Sequence, residues 1–257
     1  SILAKVAREE EIKLLKENYI KYVNWFYLVS PIVFYINYFL GGFDAIPIAF
    51  LLASIYYLTS GRLFISSLLF GLSLSTKTGI IVVLPLIFIY LLKQKINLKD
   101  LFIYFLLSFF VYFLLSLPFL FSVGFLKLAI TSSKTSFFIL NLNVLEGVRI
   151  LVLPAVYTIL VLYLFSFNRI NKDMLLMLIA FVFTSLVILI PPLPNWYYWL
   201  LPFLVYFFVK QKKNYSVSYW AFNVFYFSYF IIGKTSELLA SIFFTLLVSS
   251  LVLSVYW

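Results

Sequence analysis

Ten apolar runs follow one another along this chain, at roughly 22–40, 45–60, 63–76, 79–92, 101–122, 148–167, 174–190, 197–209, 216–233 and 237–257. A soluble globule of 257 residues has no core large enough to hide them all. Apolar residues make up 65% of the chain and charged residues 11%, so the solvent for most of the surface is read as lipid. A segment inside hydrocarbon must satisfy its own backbone hydrogen bonds, which makes each run a helix. The expected fold is therefore all-α: a polytopic transmembrane helix bundle of about ten membrane segments, with residues 1–257 forming a single transmembrane domain.

Charge orients the segments. Residues 1–21 mix five basic and four acidic side chains with apolar ones and read as an amphipathic helix or loop at a membrane surface. If that segment is cytoplasmic, alternating connections place 14 basic residues inside. Only five fall outside: Lys77, Lys127, Lys134, Arg149 and Lys234. The net charge of +10 is thus explained by topology, because the basic residues punctuate apolar runs and form no stripe; nucleic acid is excluded as a partner. The longest outer connection, 123–147, is itself apolar and is expected to lie in the interface.

Two runs are too short to span. Fourteen residues separate Arg62 from Lys77 and fifteen separate Lys77 from Lys93. As helices they reach ~21–23 Å against a hydrocarbon thickness of ~30 Å. The hairpin 63–92 is expected to turn below the outer surface with Lys77 at its tip, where a cation must snorkel, face a wet cavity or meet an anion.

The chain has no cysteine and no histidine, which removes disulfides, thiol nucleophiles, imidazole bases and the usual zinc sites. No cofactor is evident and no metal ligand is assigned, with a divalent ion left open. Chemistry falls to a few charged and aromatic residues. Asp44, in the stretch Gly41–Pro47, reads either as a base, a metal ligand or a sugar-hydroxyl acceptor, or as the N-cap of the following helix. Lys77 reads either as a phosphate-binding cation or as a snorkelling hairpin tip. Glu146 and Arg149 could clamp an acceptor or phosphate, or form an i,i+3 ion pair at a helix start. Trp196, Tyr197 and Tyr198 serve either as a stacking platform for sugars or as part of an interfacial aromatic belt.

Several motifs together resemble GT-C-type polytopic glycosyltransferases. They are Ser30-Pro31, Gly41-Gly42-Phe43-Asp44, Gly61-Arg62, Gly71 through Lys77, and Pro85, followed late in the chain by Tyr198-Trp199-Leu200-Leu201-Pro202. Their order and spacing are similar to those of mannosyltransferase-like members and of relatives that act in GPI-anchor synthesis. The resemblance covers 30–95 well and 190–205 loosely. It implies a polyprenyl-phosphate-linked sugar as donor, a lipid or glycan acceptor, and transfer on the extracytoplasmic face of a plasma or endoplasmic reticulum membrane. It also implies that Lys77 contacts the donor phosphate and that Asp44 lines the sugar cavity. Two departures stand out. Gly42 occupies the position of the family's usual Gln, and the large first outer loop with its acidic motif has no counterpart. The chain opens at Ser1 part-way through what reads as a loop, so the catalytic carboxylate is expected upstream, beyond this sequence, with Asp44 as the candidate within it.

The expected function is therefore a hexosyl, mannose-like transfer from a polyprenyl-phosphate donor. The alternatives are a lipid or solute transporter, using intramembrane charge and discontinuous helices, and a non-catalytic membrane scaffold.

Overall fold

The structure, a computed structural model, describes residues 16–127, 141–145, 148–190, 192–210 and 215–256. In chain order its helices are α1 (Lys16–Leu28), α2 (Pro31–Phe34), α3 (Ala45–Thr59), α4 (Leu63–Thr76), α5 (Leu84–Lys93), α6 (Leu98–Ser116), α7 (Val152–Ser166), α8 (Lys172–Leu189), α9 (Tyr197–Lys210), α10 (Tyr215–Phe227) and α11 (Glu237–Tyr256). Two strands, β1 (Asn141–Leu145) and β2 (Val148–Leu151), pair antiparallel. The protein is predominantly helical. Among the described residues two stretches, Leu98–Phe119 and Lys172–Leu189, are long and apolar enough to cross a bilayer.

Local chemistry explains most boundaries. Pro31 and Pro85 stand in the first turns of α2 and α5, where a missing N–H costs nothing. Asn171 caps α8, its Oδ1 accepting from the Met174 N–H at 2.8 Å. Between α3 and α4 the chain reverses through Gly61, whose φ of +76° is the left-handed region that side chains avoid. There the Arg62 N–H reaches the Tyr57 carbonyl at 2.9 Å and the Gly61 N–H reaches Leu58 at 3.1 Å, the paired bonds of a Schellman terminus.

The run 22–40 is not one helix. It breaks after Leu28, resumes at Pro31, and ends in a π-turn over Tyr35–Phe39. Gly41, at φ +61°, then lets the Gly42 N–H reach back to the Ile36 carbonyl at 2.9 Å. The run 148–167 also differs from expectation. Its first residues, Val148–Leu151, are extended because their backbone groups pair with 141–145, with Asn143 opposite Arg149, and the helix begins only at Val152. Most of the segment 1–21 and of the outer connection 123–147 lies outside the described residues.

The chain falls into two units, residues 1–43 with 193–257, and residues 44–192. In the first, α9 packs on α1, α10 and α11, and α10 packs on α11 and on α2. Its interior is aromatic: Tyr197, Phe222, Tyr226 and Phe230 are buried together, and the Tyr226 hydroxyl donates to the Pro194 carbonyl at 3.1 Å. In the second, α4 packs between α3 and α6, while α5 packs chiefly on α7 and α8. The two arms of the expected 63–92 hairpin therefore take different neighbours. Apolar side chains also stand outward: on α6, Phe102, Leu106, Phe110 and Phe113 are each more than half exposed.

Candidate functional site

Small polar residues bond across the seam between α3 and α4. Ser54 Oγ donates to the Ser66 carbonyl at 2.9 Å and Ser66 Oγ returns a bond to the Ser54 carbonyl at 2.8 Å. Seven residues along both helices, Ser73 Oγ donates to the Pro47 carbonyl at 2.8 Å. Seven residues is two turns, so the bonds lie on one stripe of each antiparallel helix. On the far side of α4, Ser108 of α6 donates to the Ser67 carbonyl at 3.1 Å, and Ser66 Oγ meets the Tyr104 hydroxyl at 3.2 Å. Small residues let the backbones approach, and each hydroxyl is satisfied inside the seam.

The next step along that stripe, at the end where α3 begins and α4 stops, carries charge. Asp44 holds the N-cap position of α3, yet its side chain makes no cap hydrogen bond. Instead the Lys77 ammonium donates to Asp44 Oδ1 at 3.0 Å. The structure thus joins two of the expected site residues, thirty-three positions apart in sequence, because the antiparallel seam brings the helix ends side by side. Burial of the pair is lopsided: the Asp44 side chain is 3% exposed and that of Lys77 is 36% exposed. A carboxylate so buried is costly without a partner, so the ammonium both neutralises it and keeps a face open.

Lys77 itself ends α4. Its N–H still bonds the Ser73 carbonyl at 3.1 Å, but its backbone is extended (φ −154°, ψ 104°), and a 3₁₀ segment, Thr78–Val83, follows before α5. At 14 residues, α4 covers about 21 Å from its start at Leu63. The 3₁₀ segment forms a wall of two clefts. One, of about 310 Å³, lies against α7 and α8 and is almost wholly apolar; its Tyr157 hydroxyl is taken by the Val82 carbonyl at 2.8 Å. The other, of about 50 Å³, is lined by Leu74, Thr78, Ile81, Phe109 and Tyr112.

Glu146 lies outside the described residues, and residue 149 sits on strand β2, with the helix beginning only at Val152. Trp196, Tyr197 and Tyr198 belong to the other unit. Tyr197 and Tyr198 are buried at 0% and 4% exposure, and Trp196 stacks on Trp199 with centroids 5.5 Å apart. Among the described residues there is no cluster of acidic side chains able to hold a metal ion. The serine seam was not singled out from sequence, although the paired seven-residue spacing of positions 47 and 54 with 66 and 73 is the signal that marks it.

Compared with protein-family models, curated proteins and solved structures, the chain has no match.

Proposed function

We propose that this chain is the membrane portion of a GT-C-like glycosyltransferase, a multi-pass protein whose ten apolar runs cross or enter the bilayer. It moves a mannose-like hexose from a polyprenyl-phosphate donor to a lipid or glycan acceptor on the extracytoplasmic face. The observation that carries the reading is the Asp44–Lys77 pair, which joins two of the motifs on which the family resemblance rests. Apolar faces on α6 and two spanning-length stretches support the membrane setting.

In this reading Lys77 receives the donor phosphate on its exposed face. The acceptor hydroxyl oxygen forms a bond to the anomeric carbon, the bond from that carbon to the phosphate oxygen breaks, and polyprenyl phosphate leaves with the electron pair. Lys77 offsets the charge gathering on that phosphate in a site of low dielectric. Asp44 holds the ammonium in place. A carboxylate that holds an ammonium through one oxygen keeps lone pairs on the other, so Asp44 is also this chain's candidate to take the proton that the acceptor hydroxyl loses as the new bond forms.

The test is transfer from radiolabelled polyprenyl-phosphate mannose and glucose by membranes carrying the full-length gene product. Lys77→Ala and Asp44→Asn are each expected to lower transfer at unchanged protein level. No transfer from any polyprenyl-linked donor would sink the reading. One feature favours transport as a second reading: the helices break at Leu28–Pro31 and at Lys77, as transporter helices do near their sites. Lipid translocation by reconstituted vesicles, without sugar transfer, would decide for it.

A further inference from the structure

The break after α1 leaves polar atoms unbonded inside the first unit. Ser30 stands in the gap between Leu28 and Pro31 and holds the N-cap position of α2. A serine there ordinarily accepts from an N–H of the first turn, but the Ser30 side chain makes no cap bond and the residue is fully buried. On α10, Asn223 is buried as well. Its Nδ2 donates to the Tyr219 carbonyl at 2.8 Å. That bond fixes which end of the amide is left over, because Oδ1 set against a carbonyl would repel it. Ser30 Oγ and Asn223 Oδ1 have no hydrogen-bond partner among the described residues. A third oxygen joins them: the Tyr219 hydroxyl interacts with both side chains and spends its own proton on the Phe26 carbonyl, in the last turn of α1, at 3.1 Å.

We infer that Ser30, Tyr219 and Asn223 form a binding site for a monovalent metal cation, sodium, which ties the break between α1 and α2 to α10. The inference does not rest on the transferase reading; all three residues belong to the first unit, whereas Asp44 and Lys77 belong to the second.

Three arguments select the ion. The first is charge. The three side chains are neutral, so they can replace the hydration shell of a single charge, whereas a divalent ion is ordinarily held by carboxylates. The second is size. Both unbonded oxygens are closed off from any water-sized space, and sodium is smaller than a water while potassium is about as large. The third is setting. Inside a membrane, unwound backbone between helix halves is where alkali cations are coordinated, and Ser30 lies in such a gap. There is also a way in. Phe26 and Tyr219 line a groove of about 380 Å³ with Tyr22, Trp25, Val29 and Trp220, and ring faces attract a cation.

The experiment compares the purified full chain in sodium, potassium and N-methyl-D-glucamine chlorides at equal ionic strength, by thermal unfolding and by binding of radioactive sodium. At about ten times its Kd, sodium should raise the thermal midpoint by ~3 °C over N-methyl-D-glucamine, with potassium giving no rise. Ser30→Ala and Asn223→Ala should each weaken sodium binding about tenfold or more, as loss of a contact to a charged group does, and abolish the rise. Ser250→Ala should leave both readouts unchanged, since that buried hydroxyl donates to the Leu247 carbonyl of its own helix. If either site variant fails to fold, the parent's preference among the three salts still decides. Equal midpoints in all three salts with no sodium bound overturn the inference. So does an equal rise in potassium, or sodium binding that survives both substitutions.

Discussion

Replacing Gly71 by alanine should loosen the α4–α6 contact. A Cβ built at Gly71 would stand 2.6 Å from the Ser108 carbonyl oxygen, 2.7 Å from Val111 Cβ and 3.1 Å from Val111 Cγ1. Non-bonded carbons settle at ~3.5–4.0 Å, so the methyl is about 1 Å too close to a backbone atom and a branched side chain at once. Neither can swing aside, and α6 must move. Overpacking of this kind costs ~1–3 kcal/mol. The shift also stretches the Ser108–Ser67 bond, now 3.1 Å, worth ~0.6 kcal/mol between membrane helices. Together the expected destabilisation is ~2–3 kcal/mol. Unfolding of the purified protein by SDS titration in mixed micelles measures it. Gly124→Ala is the control, since its nearest neighbour would be Ser122 Oγ at 3.6 Å. A Gly71→Ala protein within ~0.5 kcal/mol of the parent would refute the close approach.

The ion pair should respond unequally to loss of each partner. Lys77→Met takes the ammonium from a carboxylate only 3% exposed and should cost ~3 kcal/mol, whereas Asp44→Asn takes the carboxylate from an ammonium that reaches solvent and should cost about 1; the double variant, read by the same titration, should recover most of the difference. Gly61→Ala forces a methyl into the left-handed region and should cost ~1 kcal/mol, seen as a lower thermal midpoint with unchanged helix content. Gly42→Ala would bring a Cβ to 2.8 Å from Ile36 Cγ2, so it should destabilise by ~1–3 kcal/mol; a neutral result in the same titration would refute this close approach. Ser66→Ala removes the return bond to Ser54 and a partner of the Tyr104 hydroxyl, and should cost ~1 kcal/mol, with Ser75→Ala, whose hydroxyl bonds only within its own helix, near zero.

What the sequence determined by itself is the local part. Apolar length located α3, α4, α8 and α9 to within a residue or two, because a helix closes its hydrogen bonds inside one segment and needs no partner to do so. The prolines at 31 and 85 and the glycine at 61 mark boundaries by their own backbone limits. Tertiary structure decided everything that depends on a second segment. Val148–Leu151 reads as the start of an apolar helix until 141–145 supplies the other half of its ladder. The aromatics at 197 and 198 look alike whether they face lipid, sugar or a core, and only the packing of α9 on α10 and α11 buries Tyr197 among Tyr226 and Phe230. Asp44 has the composition of a helix cap, and its charge is drawn off to Lys77 because the serine stripe sets α3 and α4 in a register that brings their ends together. A side chain's type and place in the chain fix what it can bond to; which bond it makes is fixed by the helix packed beside it.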